Sequence, residues 1–138
     1  MSTESPAELL RREHRRLDEL LGRFFGAAHA GQVDAAREAM RDFDEELRRH
    51  TAFEEERVLP SASGRKLVPG EEESESDRLG RELRLEHVQI RELSAMMRRL
   101  AEAGDVRGAE RLAPNLARRW DDHTAREEEA WPPSAAGS

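Results

Sequence analysis

The chain has 138 residues, a formal net charge of −7, 38% charged residues and no cysteine. This length suits one domain, residues 1–138, that folds without disulfides or structural metals to stabilise it. The lack of cysteine excludes disulfides, thiolate zinc sites, iron–sulfur ligation and thiol catalysis. The acidic balance, with arginines interleaved among acidic residues, argues against nucleic acid as a partner.

The amino-terminal stretch MSTESPAELLRREH has no apolar signal region. No apolar run anywhere approaches the roughly 18 residues of a membrane-spanning helix. We therefore expect a cytoplasmic protein that does not associate with membranes.

Apolar residues recur at steps of three and four along the first sixty residues, which predicts two amphipathic helices. The first helix is expected to end near Gly26 and Gly31, and the second to stop at Pro60. The apolar positions of the first helix are Leu9, Leu10, Leu17, Leu20, Leu21, Phe24 and Phe25, and those of the second are Val33, Ala36, Met40, Phe43, Leu47 and Val58.

A stretch rich in Ser, Gly and Glu, residues 61–76, predicts a mobile linker, with Asp77 as the amino-terminal cap of the next helix. A third helix should close near Gly104, and a fourth should run from about Val106 to Ala130 before Pro132 and Pro133. Pro114 lies inside the fourth helix and is expected to kink it or to split off its first turns. The apolar positions are Leu79, Leu83, Ile90, Leu93, Met97 and Leu100, then Leu112, Leu116 and Trp120.

Residues 9–60 align without a gap to residues 82–133, at a constant offset of 73, with 18 of 52 positions identical. Two such helical hairpins, about 6–60 and about 77–133, can bury their apolar stripes only against each other. The sequence therefore predicts an all-α fold, an antiparallel up-down four-helix bundle made of two duplicated helical hairpins.

The same offset carries a set of metal-ligand residue types from one copy to the other. His14, His50 and Glu54 correspond to His87, His123 and Glu127. From His14 to the first turn the helix rises about 21 Å, and from the turn back to His50 about 24 Å, so each pair of histidines should lie at one level. All four lie on apolar stripes, and each Glu follows its His by four residues on the same helix face.

Two carboxylates buried among four imidazoles would cost many kcal/mol or would be forced to protonate. Two cations would remove that penalty, and this ligand set suits iron, manganese, zinc or cobalt. We therefore predict that His14, His50, Glu54, His87, His123 and Glu127 hold a binuclear metal site.

The ordered pattern His, His-x-x-x-Glu, His, His-x-x-x-Glu resembles the hemerythrin-like family over residues 9–133. The resemblance implies two non-haem iron ions bridged by the two Glu and by an oxo or hydroxo group, with manganese or zinc as alternatives. Oxygen carriers of that family have a fifth His four residues from the third-helix ligand, where this chain has Leu83 and Arg91. Two six-coordinate ions offer about twelve positions, of which about two stay open here, one more than with a fifth His.

Three functions follow as alternatives. The first is a binding protein that takes up, senses or stores oxygen or nitric oxide, or handles iron. The second is an enzyme that decomposes hydrogen peroxide or reduces nitric oxide at the vacant positions. The third is a metal-free structural bundle.

Several residues near the ligands have a plainer interpretation. Glu13 and Glu86 point away from the adjacent histidines and are predicted to face solvent or to support the ligands from outside. The later Glu of each acidic run are predicted to be solvated, although Glu128 would reach the metal if the register shifted. His29 is predicted to lie on the surface, and Trp120 to pack in the core or to wall the site. The acidic runs continue as Glu55 and Glu56, and as Glu128 and Glu129.

Overall fold

The structure, a computed structural model, describes residues 4–58 and 70–131. These residues form four α-helices and no strand: α1 (Pro6–His29), α2 (Val33–Phe53), α3 (Glu75–Glu102) and α4 (Val106–Ala130). A π-helical turn, Glu54–Val58, continues α2. Helix α1 packs against α2 and α4, and α3 packs against α2 and α4, which confirms the predicted all-α four-helix bundle.

Local sequence signals set the starts of the helices. Ser5 and Glu8 form a reciprocal capping box before Pro6, the first residue of α1. Ser74 and Asp77 form the same arrangement at α3. The prediction of Asp77 as the cap was therefore wrong, because Asp77 is the third helical residue and its side chain accepts a hydrogen bond from the backbone of Ser74. Residues 61–69 of the predicted linker lie outside the described residues, as do Pro60, Pro132 and Pro133.

The two hairpin turns repeat each other. Gly31 and Gly104 have φ of 72° and 89°, the left-handed backbone that glycine adopts without steric cost. The following residues, Gln32 and Asp105, donate backbone hydrogen bonds to Ala27 and Leu100. Each turn thus closes the carboxyl end of one helix and starts the next.

Helix α4 runs unbroken through Pro114. Of the two effects expected of this proline, a kink or a separation of the first turns, the separation was wrong. Proline removes one backbone donor, but it need not end a helix whose neighbours are well packed. Pro114 is exposed, while Ala113 and Leu116 on either side are completely buried. Their packing keeps the helix continuous on both sides of the proline.

A continuous apolar core fills the bundle between the hairpin turns and the level of the histidines. Phe24, Phe43 and Trp120 are its largest buried side chains. Within the described residues, no helix is long and apolar enough to cross a membrane. The apolar face of each helix is instead used against its neighbours.

Candidate metal centre

One histidine from each helix enters the core at the same level. His14, His50, His87 and His123 are at most 4% exposed. The rings of His14 and His50 have centroids 5.0 Å apart, and those of His87 and His123 are 4.7 Å apart. The two hairpins therefore bring all four predicted imidazoles together.

The two carboxylates lie between these imidazoles. Glu54 and Glu127 are completely buried, one at the start of the π-helical turn and one near the end of α4. Each joins two groups of four possible ligands, in which the donor atoms lie within 4.8 Å of one another. One group adds His14 and His50 to the two carboxylates, and the other adds His87 and His123. Two neighbouring cation positions sharing both carboxylates can be accommodated.

The inner nitrogen, Nε2, of every imidazole faces a carboxylate oxygen. The distances from Nε2 to the nearest oxygen are 3.0 Å for His50 and 3.1 Å for His14, His87 and His123. Ligand atoms about 2.1 Å from one ion, at right angles to each other, lie about 3.0 Å apart. The observed separations are those of neighbouring ligands around a shared ion.

Most of these inner atoms have no hydrogen-bond partner, because the facing groups are close but not aligned for a hydrogen bond. Buried polar atoms are normally partnered, and leaving one unpaired costs about 1–3 kcal/mol. The unpartnered atoms are Nε2 of His50, His87 and His123, both carboxylate oxygens of Glu54, and Oε2 of Glu127. A cation is the simplest group that would satisfy all of them at once, so the residues fit a metal.

The outer nitrogen, Nδ1, of every imidazole contacts a different carboxylate. Glu13 lies 2.6 Å from Nδ1 of His50, and Glu86 lies 2.7 Å from Nδ1 of His123. Both residues support the histidine of the neighbouring helix, which selects between the two roles predicted for them. A carboxylate at Nδ1 accepts its proton and leaves Nε2 free to bind an ion.

The other two outer carboxylates come from the acidic runs. Glu128 lies 2.8 Å from Nδ1 of His14, and Glu55 lies 2.9 Å from Nδ1 of His87. The prediction that these two side chains are solvated was therefore wrong. Each run follows its helix past the site, so its first Glu points inward and its second points sideways to the next hairpin. The signal available in the sequence was their repetition at the 73-residue offset, which places Glu55 and Glu128 in equivalent positions.

Arginines bind three of the four outer carboxylates. Arg11 pairs with Glu128 at 3.4 Å and donates to backbone carbonyls at the end of α4. Arg126 binds Glu86. Glu55 accepts from Arg91 at 3.1 Å. These ion pairs hold the carboxylates in place against the imidazoles.

The two positions where oxygen carriers would have the fifth His hold residues with other contacts. Leu83 is completely buried. Arg91 binds Glu55 and donates to the hydroxyl of Thr51 at 3.1 Å. Arg91 thus supports His87 indirectly through Glu55, and Arg91 carries no atom suited to coordinate a cation.

The charges in this layer shift the pKa values of its members in opposite directions. Burial lowers the pKa of His14, but Glu127, Glu54 and Glu128 outweigh burial and raise it to about 10. Burial also lowers the pKa of His87, but Glu127 and Glu54 outweigh burial and raise it to about 10. For Glu127 burial acts upward, but the histidines prevail and hold its pKa well below its usual range. Without a cation, protonated imidazoles would compensate the two buried carboxylates.

Two further residues complete the picture of the predicted site. His29 is exposed at the carboxyl end of α1, as expected, and is not part of the ligand layer. Trp120 is buried, and its ring centroid lies 5.4 Å from that of His14. The indole therefore packs in the core and also walls one side of the site.

Stability without metal should depend on pH through these groups. A raised histidine pKa stabilises the fold fully below the unfolded value of 6.5, and this contribution is lost as the pH rises toward 10. The lowered pKa values of Glu54 and Glu127 contribute above 4.5 and are lost as the pH falls. In chelator, we therefore expect the highest Tm between about pH 4.5 and 6.5, with a decline toward pH 9. The decline should be smaller in His87→Gln, and a Tm that rises from pH 6.5 to 9 in the parent protein would contradict this account.

Comparison with known proteins agrees with this geometry. The model of one family, the hemerythrin HHE cation-binding domain, matches residues 5–135. No curated protein and no solved structure matched the chain. The family implies cation binding. Because the match covers nearly the whole chain, the protein belongs to the hemerythrin HHE cation-binding domain family.

Proposed function

We propose that the protein holds a non-haem di-iron centre and uses it to bind, sense or store a small ligand such as oxygen or nitric oxide, or to handle iron. The observation that carries this proposal is the convergence of buried, unpartnered ligand atoms from all four helices on two shared carboxylates. Its proposed ligands are Nε2 of His14, His50, His87 and His123 and the carboxylates of Glu54 and Glu127. The same observation argues against a metal-free structural bundle, in which those atoms would be buried at a net cost.

Imidazole and carboxylate ligands support iron as the metal, and manganese and zinc are the alternatives that share this preference. Iron would supply redox chemistry and open coordination positions for an incoming ligand. The protein would orient the imidazoles through the outer carboxylates and exclude bulk water by burying both bridging residues. Glu54 and Glu127 are completely buried.

The surroundings of the site favour a small ligand. A recess of about 200 Å³ is lined by Glu86, Ile90 and His123 among others. The ligand atoms themselves lie beneath the helices, at most 4% exposed. A diatomic molecule or peroxide would fit a recess of this size, whereas an organic substrate would need a larger opening.

A second candidate function is an enzyme that decomposes hydrogen peroxide or reduces nitric oxide. The specific observation in its favour is that Leu83 and Arg91 stand where a fifth ligand could be, which would leave an additional coordination position for substrate on a bound metal. We place this second because, within residues 4–58 and 70–131, no general acid or base outside the proposed ligands and their outer carboxylates faces the inner atoms.

The metal content tests the proposed ligands. Purified protein reconstituted with ferrous iron should hold two irons per chain and show near-ultraviolet absorption typical of a bridged di-iron centre. His50→Ala and His123→Ala should each lose most of that absorption, because each removes a ligand to one ion. His29→Ala, which removes an exposed imidazole, should retain the two irons and the absorption. Equal iron content in all three variants would contradict the proposal.

The outer carboxylates should tune metal affinity without binding metal. Glu55→Gln and Glu128→Gln keep the side-chain size but remove the charge that fixes each imidazole, so we expect affinity to fall about 10- to 100-fold. Competition with a coloured chelator measures the change. The neighbouring exposed residues provide matched controls, Glu56→Gln and Glu129→Gln, which should bind as the parent protein does. No difference between the two pairs would show that the Nδ1 contacts are irrelevant to binding.

Peroxide separates the binding function from the enzymatic one. Iron-loaded protein is mixed with hydrogen peroxide, and oxygen evolution is followed with an electrode beside the absorption spectrum. A binding protein should give a spectral change that saturates near one equivalent with little oxygen. Evolution of oxygen over many equivalents per chain would instead support the enzyme and reject the first function.

A further inference from the structure

A buried indole and an exposed carboxylate form a hydrogen-bonded pair beside the proposed centre. Nε1 of Trp120 donates to Oδ1 of Asp18 over 2.7 Å. Trp120 is 1% exposed, whereas Asp18 lies on the solvent side of α1. The pair therefore connects the core to the surface through a single short hydrogen bond.

The same indole contacts three of the four imidazoles. Its ring centroid lies 5.4 Å from that of His14, 6.1 Å from His50 and 6.2 Å from His123. Such distances are those of aromatic rings in direct contact. No other tryptophan and no phenylalanine ring contacts any of the four histidines among the described residues, and the chain has no tyrosine.

This pair breaks the twofold repeat at both of its members. At the 73-residue offset, Trp120 corresponds to Leu47 and Asp18 corresponds to Arg91. Leu47 is an apolar core residue, and Arg91 is bound to Glu55. The imidazoles, the inner carboxylates and the outer carboxylates all obey the repeat, so the indole and its acceptor are a feature of one side only.

The chemistry of the acceptor goes beyond what packing requires. A buried indole needs a hydrogen-bond acceptor, and any carbonyl or hydroxyl oxygen would serve. Here the acceptor is a carboxylate within the distance at which a base takes a proton.

We propose that Trp120 is a redox relay of the metal centre, with Asp18 as the acceptor of its proton. The inference rests on the proposed di-iron site, and the oxidant is hydrogen peroxide. Peroxide takes up two electrons and two solvent protons and becomes two waters. One electron would come from the iron centre and one from the indole, whose Nε1 proton passes to the carboxylate of Asp18. A neutral tryptophanyl radical, a protonated Asp18 and an iron centre oxidised by one electron would remain. An external reductant would then return one electron to the indole and one to the iron centre, and Asp18 would give its proton back to the indole.

Through this relay, an electron from Trp120 would quench a strongly oxidised group in the ligand layer. Without it, the nearest oxidisable groups would be the ligand imidazoles themselves. In the relay, Trp120 is oxidised or passes the electron on beside His14, His50 and His123. The equivalent positions of the repeat hold Leu47 and Arg91. Asp18 opens to solvent, where the proton can leave.

The test begins with iron analysis, so that loss of the metal site is recognised separately. Protein shown to hold two irons is mixed with hydrogen peroxide, frozen within milliseconds and examined by electron paramagnetic resonance. A parallel sample is digested, and oxidised tryptophan is located by mass spectrometry. We expect a tryptophanyl radical and oxidised product at Trp120. Trp120→Phe should abolish the radical, whereas Trp131→Phe, which removes the other tryptophan, should leave it unchanged.

Asp18→Asn tests the proton acceptor, because the amide oxygen still accepts the hydrogen bond but is a far weaker base. Radical formation should slow about 100-fold, the size of effect typical of losing a general base. Asp34→Asn, at a side chain 99% exposed in α2, is the control and should behave as the parent protein. The relay is overturned if iron-loaded protein consumes peroxide without a radical at Trp120, or if Trp120 and Trp131 are oxidised equally. An Asp18→Asn variant that forms the radical at the parent rate overturns the role of Asp18. Failure of the parent protein to bind iron would instead reject the proposed function.

Discussion

The structure depends on the burial of two carboxylates among four imidazoles in the middle of a helical bundle. Glu54 and Glu127 are completely removed from solvent, and most of the inner atoms around them lack hydrogen-bond partners. An isolated buried carboxylate is costly, and its compensation must come from protonated histidines or from bound cations. Without metal, the carboxylates raise the histidine pKa values, so that protonated imidazoles compensate the buried charge. In the proposed di-iron centre, the cations would compensate it and the same atoms would become ligands.

The rest of the site follows from the need to hold these groups in one orientation. Each imidazole has its outer nitrogen on a carboxylate, and arginines bind three of those four carboxylates. Arg11 and Arg84 are equivalent in the repeat, and both also donate to backbone carbonyls at the far ends of partner helices. The ligand layer is thereby linked to the helix ends, so its geometry is set by the packing of the bundle rather than by the ion alone.

Much of this arrangement could be predicted from the sequence, because periodicity and duplication are strong signals. The four helices, the glycine turns and the meeting of His14, His50, His87 and His123 with Glu54 and Glu127 all followed from spacing. Prediction from the sequence was wrong where the direction of a side chain depends on packing against a neighbouring helix. Glu55 and Glu128 look like solvated members of acidic runs, and only the packing of α1 against α4 and of α2 against α3 turns them toward an imidazole. The expected separation of the first turns at Pro114 was wrong for a related reason, because the packing of its neighbours outweighs one missing backbone hydrogen bond.

We propose that two metal ions lie between the hairpins and share Glu54 and Glu127. A crystal structure of the iron-loaded protein, with anomalous scattering recorded on both sides of the iron absorption edge, tests it most directly. The account predicts two iron peaks about 3.5–4 Å apart, each bound by Nε2 of two histidines and both bridged by the two carboxylates. A single ion, or iron found only at the surface with no metal at Nε2 of the imidazoles, would contradict it.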